Sequence, residues 1–359
     1  MSSIPDPLSM DVSWNFSLSG NTTLDHSRPL SVFEIHILVP VTVACILLFF
    51  LGVGGNLSTL LVFWRTQSLH TTTNLYLSSM AISDILIFSG LPLDLYRLWR
   101  YRPFPFGDFL CRFQFYLSES CTYATILHIT ALSVERYLAI CFPLHARRLV
   151  SRARVQLVIV ALWGLAGTTA VPVFFLFHVA GQECQPTEAG LRSGLLQAMT
   201  WVSTLYFFLP LACLCLLYGL ICRRLGHMRH RPYARIRQRH QRQTVRLLVV
   251  VVLSFALCWL PFHIGRILFS TAVWDDEDQG GREALYTTSQ NFNLAAMLLF
   301  YLSASINPVL YNLLSARYRL ALRGMLQSQR PRSRLPQRHR SSHHIRVTAP
   351  TDMNFCTSV

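Results

Sequence analysis

The stretch from Cys111 to Pro143, CRFQFYLSESCTYATILHITALSVERYLAICFP, joins a membrane-length apolar helix to a charged end, Glu135-Arg136-Tyr137. Its centre, from Cys121 to Leu132, contains no Asp, Glu, Lys or Arg. The ionisable groups within reach of lipid are Glu119 on one side of that centre and the Glu135-Arg136 pair on the other. Burying a charge in a membrane helix costs roughly 2.5–3.5 kcal/mol on insertion scales, so such groups face protein or water and point to function. The alternative for Glu135-Arg136 is a helix-end ion pair whose long side chain snorkels into the headgroups.

Composition extends this reading to the whole chain. Its 359 residues are 52% hydrophobic and 14% charged, with a mean hydropathy of +0.36, too few charges and too much apolar length for a soluble domain of this size. Windows of about 20 apolar residues, the length that crosses ~30 Å of hydrocarbon, fall near Leu38–Trp64, Asn74–Leu95, Phe109–Cys141, Val155–Phe177, Leu195–Cys222, Val245–Phe269 and Gln290–Leu314. Backbone groups in lipid must be satisfied within the segment, so each window is a helix. Pro92, Pro172, Pro210, Pro261 and Pro308 then mark kinks and not breaks. The expected fold is all-α: a seven-helix transmembrane bundle over residues 37–314.

The net charge of +15 comes from 32 basic residues, all of them Arg. They lie between the apolar runs: Arg147, Arg148, Arg152 and Arg154 flank one loop, and nine more crowd the stretch from Arg223 to Arg246. The cytoplasmic bias of basic loops accounts for this pattern without nucleic acid, and the absence of Lys excludes Schiff-base chemistry. These loops are therefore assigned to the inside, and the acidic run Asp275-Asp276-Glu277-Asp278 to the outside. Residues 1–36 become an extracellular tail with glycosylation acceptors at Asn15 and Asn21. That tail lacks the basic start and apolar core of a cleaved signal peptide, so the first span serves as the targeting signal. Of ten Cys, most sit inside spans; Cys111 and Cys184 stand where an oxidising compartment would bridge them.

Taken together, these residues resemble a rhodopsin-like (class A) G-protein-coupled receptor, with one motif per span. They are Gly55-Asn56, Leu77 to Asp84, Glu135-Arg136-Tyr137, Trp163, Pro210 with Tyr218, Cys258-Trp259-Leu260-Pro261, and Asn307-Pro308-Val309-Leu310-Tyr311. The chain is also similar to the ghrelin and motilin receptor subfamily through Thr71 to Leu77, Glu119 to Thr125 and Pro261 to Arg266. Leu38 to Thr42, Leu217 to Ile221 and Arg242 to Arg246 lean towards the motilin branch, whereas the segment Glu183 to Glu188 looks more like the ghrelin branch. The resemblance implies a plasma-membrane receptor for a peptide hormone, coupled to a heterotrimeric G protein of the Gq type and engaging arrestin. A secondary transporter would need repeated halves, which the sequence lacks.

The resemblance also assigns residues. It implies no cofactor beyond an allosteric sodium ion at Asp84, with Asn56, Thr125, Ser303 and Asn307 as oxygen-bearing neighbours; a protonated Asp84 in a hydrogen-bonded core is the alternative. Tyr218, Trp259, Pro261, Pro308 and Tyr311 join Glu135, Arg136 and Tyr137 in the switch. Gln241 stands where many relatives place an acidic partner for Arg136, which removes one resting-state contact. The ligand pocket is expected at Asp94, Arg97, Ser118, Glu119, Tyr123, Phe262, Arg266 and Phe300, with Glu119 facing Arg266. Ser118 replaces the Asp of amine receptors and Tyr301 the Lys of opsins, so neither an amine transmitter nor retinal fits. Residues 315–326 read as a short amphipathic eighth helix, with Tyr318, Leu322 and Met325 opposite Arg317, Arg319 and Arg323. Residues 327–359 are Arg-, Ser- and Pro-rich, a composition that favours disorder. The chain closes on Thr357-Ser358-Val359, an ending of the kind a PDZ groove accepts.

Overall fold

The computed structural model describes residues 31, 33–100, 102–227, 235–272 and 279–328. Within these, the side chains at 227, 235–240, 244, 266–272, 279–286, 314, 316, 317, 326 and 328 stand outside the description. The expectations for Asn15, Asn21, the Arg266 side chain, the acidic run at 275–278 and Val359 therefore lie outside the described residues.

In chain order the elements are α1 (Ile35–Arg65), α2 (Thr72–Ser89), α3 (Leu91–Trp99), α4 (Gly107–Cys141), α5 (Pro143–Leu149), α6 (Arg152–Leu176), β1 (Phe177–Ala180) and β2 (Glu183–Pro186). They continue with α7 (Glu188–Arg192), α8 (Leu195–His227), α9 (Arg235–Ala272), α10 (Gln279–Leu314) and α11 (Ala316–Ser328). Among the described residues, seven spans are long and apolar enough to cross a membrane, α2 and α3 forming one of them. Between those two, Gly90 keeps near-helical angles (φ −80°, ψ −20°) and Pro92 opens the next turn, so the interruption is a kink. Pro172, Pro210, Pro261 and Pro308 lie inside their helices, as does Pro40 in α1. Helix α9 begins ten residues before the apolar window, because its Arg-rich first turns leave the hydrocarbon while remaining helical.

The long α4 occupies the middle and packs against α2, α6, α8 and α9, while α1 lies against α2 and α10. Outward residues such as Phe50 (70% exposed), Leu157 (69%) and Leu257 (70%) are apolar, as a lipid-facing surface requires. Helices approach closely where small residues allow it: a methyl on Gly55 would stand 2.9 Å from Pro308 Cβ, and one on Gly52 would overlap the Phe88 ring. At the far end α11 turns back beneath the bundle. Arg319 donates to the carbonyls of Asn312 (3.0 Å) and Leu313 (2.7 Å), capping α10. Thr59 spends its proton on Gly55 O, so the Tyr318 hydroxyl donates to Thr59 at 3.2 Å. Burial holds the Tyr318 phenol above its ordinary value, which keeps that proton in place.

The opposite end carries an antiparallel hairpin in which Phe177 faces Pro186 and Ala180 faces Glu183. Its two-residue turn, Gly181 (φ 56°) and Gln182 (φ 69°), has positive φ at both positions, as tight hairpins favour. The hairpin is held at several points. A disulfide joins Cys184 to Cys111 on α4, with Cα atoms 5.7 Å apart. Phe104 N–H donates to Gln182 O at 2.8 Å, Val179 N–H donates to Asp108 at 2.9 Å, and the buried Glu183 is ion-paired with Arg102. Phe177 stacks on Phe115 with ring centres 3.8 Å apart.

Candidate ligand pocket and signalling core

At the α11 end of the bundle, Glu135 (4% exposed) pairs with Arg136 next to it and accepts from the Thr72 hydroxyl on α2 at 2.6 Å. The second carboxylate oxygen and Arg136 Nε are buried without a hydrogen-bond partner. Glu135 is therefore held inside the protein, with the Arg136 side chain 22% exposed beside it. Nearby, Ser133 donates to Ile129 O, which leaves Tyr218 on α8 to donate to Ser133 at 2.8 Å. Tyr311 is buried with its hydroxyl unpartnered. The Tyr218 hydroxyl is thus engaged by Ser133, and Tyr137 lies edge-on to Phe142.

Halfway along the bundle, the buried Asp84 accepts from the Asn307 amide at 3.0 Å. A small cavity beside it is lined by Asp84, Thr125 and Ser303 below and by Phe255, Trp259 and Phe300 above. Two expected neighbours spend their protons on other groups, while the buried Asn56 Oδ1 keeps no hydrogen-bond partner. Asn56 donates to Gly52 O at 2.9 Å and Ala304 O at 3.0 Å, which ties α1 to α10. Thr125 donates to Ser83 at 3.0 Å, and Ser83 donates to Cys121 O at 2.8 Å. Asp84, Ser303 and the acceptor side of Thr125 remain as oxygen donors that suit a hard monovalent cation.

Above the cavity, Trp259 meets Phe300 edge-on at 5.3 Å and Phe262 at 5.9 Å, two residues before the Pro261 that weakens the α9 ladder. Tyr123, expected to line the pocket, instead stacks on Tyr206 with centres 4.1 Å apart and is 1% exposed between α4, α6 and α8. Its ring is wide enough to fill the gap left by Ala166 and Ala170, so its place is core packing. Ser118 and Glu119 sit half-buried on the neighbouring turn of α4.

Beneath the hairpin, the Asp94 carboxylate on α3 accepts from Tyr301 Oη at 2.6 Å and from the Gln114 amide. Arg97, one turn further, donates to Cys184 O at 3.5 Å and lies 5.0 Å above the Phe115 ring. Phe300, packed on both Tyr301 and Trp259, joins this cluster to the aromatic groups above the Asp84 cavity. Sequence reasoning missed Gln114 and saw Tyr301 only as the absence of a Lys. It also missed His128, which is 1% exposed. Trp163 Nε1 can only donate, to Ser79 Oγ at 2.8 Å. The Ser79 proton then goes to His128 Nε2 at 3.0 Å, and His128 Nδ1–H goes to Ala124 O at 2.5 Å. The signal available was a His among apolar residues facing a Trp and a Ser on other helices, a pattern that periodicity does not single out.

A family model described as "7 transmembrane receptor (rhodopsin family)" matches residues 55–311. The chain belongs to that family. It is a multi-pass membrane receptor and not an enzyme. Rhodopsin-family relatives cover nearly its whole length. Growth hormone secretagogue receptor type 1 of Rattus norvegicus is 49% identical over 330 residues, 89% of each chain. The Homo sapiens counterpart is 50% identical over 324 residues, 87% of each chain. The motilin receptor of Homo sapiens is 46% identical over 361 residues, 86% of this chain and 85% of that one. Overall identity is slightly higher to the secretagogue receptors than to the motilin receptor, which favours the ghrelin branch over the motif-level lean towards the motilin one.

Proposed function

We propose that this receptor binds a peptide hormone of the ghrelin type at its bridged end and activates a heterotrimeric G protein of the Gq type at the end carrying Arg136. The observation that carries this is the identity of about one residue in two to the secretagogue receptors over nearly the full chain. The charged groups Asp94, Arg97 and Glu119 around an aromatic floor of Phe262, Trp259 and Phe300 fit that ligand class, since a peptide offers both charge and apolar side chains. The Cys111–Cys184 bridge supports an extracellular position for its end of the bundle, and the Arg-rich loops support a cytoplasmic position for the other. The N-terminus is then outside and the receptor resides in the plasma membrane. A motilin-type ligand is the second reading, favoured by Leu38 to Thr42 and Arg242 to Arg246.

Within this function, a sodium ion at Asp84, Ser303 and Thr125, with Asn307 bonded to the same carboxylate, favours the resting state, because the cavity closes around it. Arrestin would engage the same cytoplasmic face as the G protein, and Thr357-Ser358-Val359 would add as a strand to a PDZ domain. Calcium release in cells expressing the receptor, given ghrelin, motilin or neither, tests the main reading. Release at lower ghrelin than motilin concentration supports it. The reverse order transfers it to motilin, and silence to both overturns it.

A further inference from the structure

We propose that Tyr301 and Gln114 are positioning residues of the ligand pocket: donors from α10 and α4 that hold the Asp94 side chain in one orientation for a cationic group on the ligand. The inference rests on the peptide-receptor reading above. Tyr301 donates to one Asp94 oxygen at 2.6 Å and Gln114 to the other. Both donors are neutral, so they stabilise the carboxylate without cancelling its charge. An ionised carboxylate has about four acceptor sites, and the two donors leave room for a third group.

The donors are themselves fixed. Tyr301 is 1% exposed and is packed against Phe88 (ring centres 5.5 Å apart) and Phe300 (5.0 Å). Phe88 in turn fills the space that Gly52 leaves open. The Gln114 amide also reaches Gly90 O at 3.5 Å, at the kink from which α3 starts. The titratable and charged groups facing Asp94 are Arg97 on its own helix, Cys45 on α1 and Tyr301 on α10. Arg97 is drawn towards the hairpin through Cys184 O and the Phe115 ring. A side chain pinned from three helices keeps one geometry, which spares the ligand the cost of ordering it.

The test is a double-mutant cycle in the full-length receptor in membranes, with labelled ghrelin and labelled motilin as probes. Tyr301→Phe and Gln114→Leu should each lower peptide affinity about tenfold. In an Asp94→Asn background the same changes should cost less than about twofold, since they act through Asp94. Full penalties in that background, or wild-type affinity for both single variants, would overturn the proposal. Should the wild type bind neither peptide, the peptide-receptor reading fails by itself. The cycle measured on apparent melting temperature without ligand then decides the positioning role: coupled effects support it and additive effects overturn it.

Discussion

Replacing Thr72 by Val tests whether the Glu135-Arg136 pair is a switch. The substitution keeps the side-chain shape and removes the hydroxyl that donates to Glu135 at 2.6 Å. Glu135 is 4% exposed and its other oxygen is already without a partner, so Arg136 would be left as its one remaining contact named above. A hydrogen bond to a buried charge contributes about 1.5–3 kcal/mol. The Arg136 side chain is 22% exposed, so water screens the site and the lower end applies, about 1.5 kcal/mol. That is roughly a tenfold shift in a two-state equilibrium. A receptor about 1% active at rest would become about 10% active. Ligand-independent inositol phosphate accumulation, normalised to surface expression, reads this directly. Thr72→Ser retains the donor and should behave as wild type. Basal signalling of Thr72→Val equal to that of both wild type and Thr72→Ser would refute the reasoning.

Other perturbations act on the same equilibrium or on the scaffold. Gln241→Glu should lower basal signalling several-fold at matched expression by giving Arg136 a second acid; no change would mean that the α9 end does not reach Arg136. Asp84→Asn should abolish any dependence of agonist affinity on sodium in membranes, and a dependence that survives would move the cation elsewhere. Cys111→Ser or Cys184→Ser should reduce surface expression or peptide affinity at least several-fold, because the hairpin loses its tie to α4; unchanged values in both variants would remove the bridge from the function.

The spans were legible because a lipid environment imposes a length and an absence of charge that no loop satisfies. The bridge was legible because Cys111 stands at the outer end of the third span and Cys184 in the loop after the fourth, where an oxidising compartment would pair them. Sequence could not show that residues 177–186 pair as a hairpin, since four-residue strands carry too little alternation, nor that Glu183 meets Arg102 across two loops. Asn56 was assigned to the Asp84 cluster by its polarity, and sequence could not show that its amide N–H groups go to the carbonyls of Gly52 and Ala304. Tyr123 looked like a pocket wall because aromatic spacing does not distinguish the inside of a helix pair from the edge of a cavity. Asp94 was found by its charge; Tyr301 and Gln114 were not, because a neutral donor acquires its meaning only from the acceptor the fold brings to it.

Nucleotide exchange on heterotrimeric Gq, driven by purified receptor in lipid nanodiscs, tests coupling between the two ends of the bundle most directly. Ghrelin should accelerate exchange with wild-type receptor. With Arg136→Ala it should still bind the receptor yet leave exchange at the basal rate. Exchange indifferent to peptide in the wild type, or stimulated equally in Arg136→Ala, would contradict the assignment of this chain as a peptide receptor that signals through Arg136.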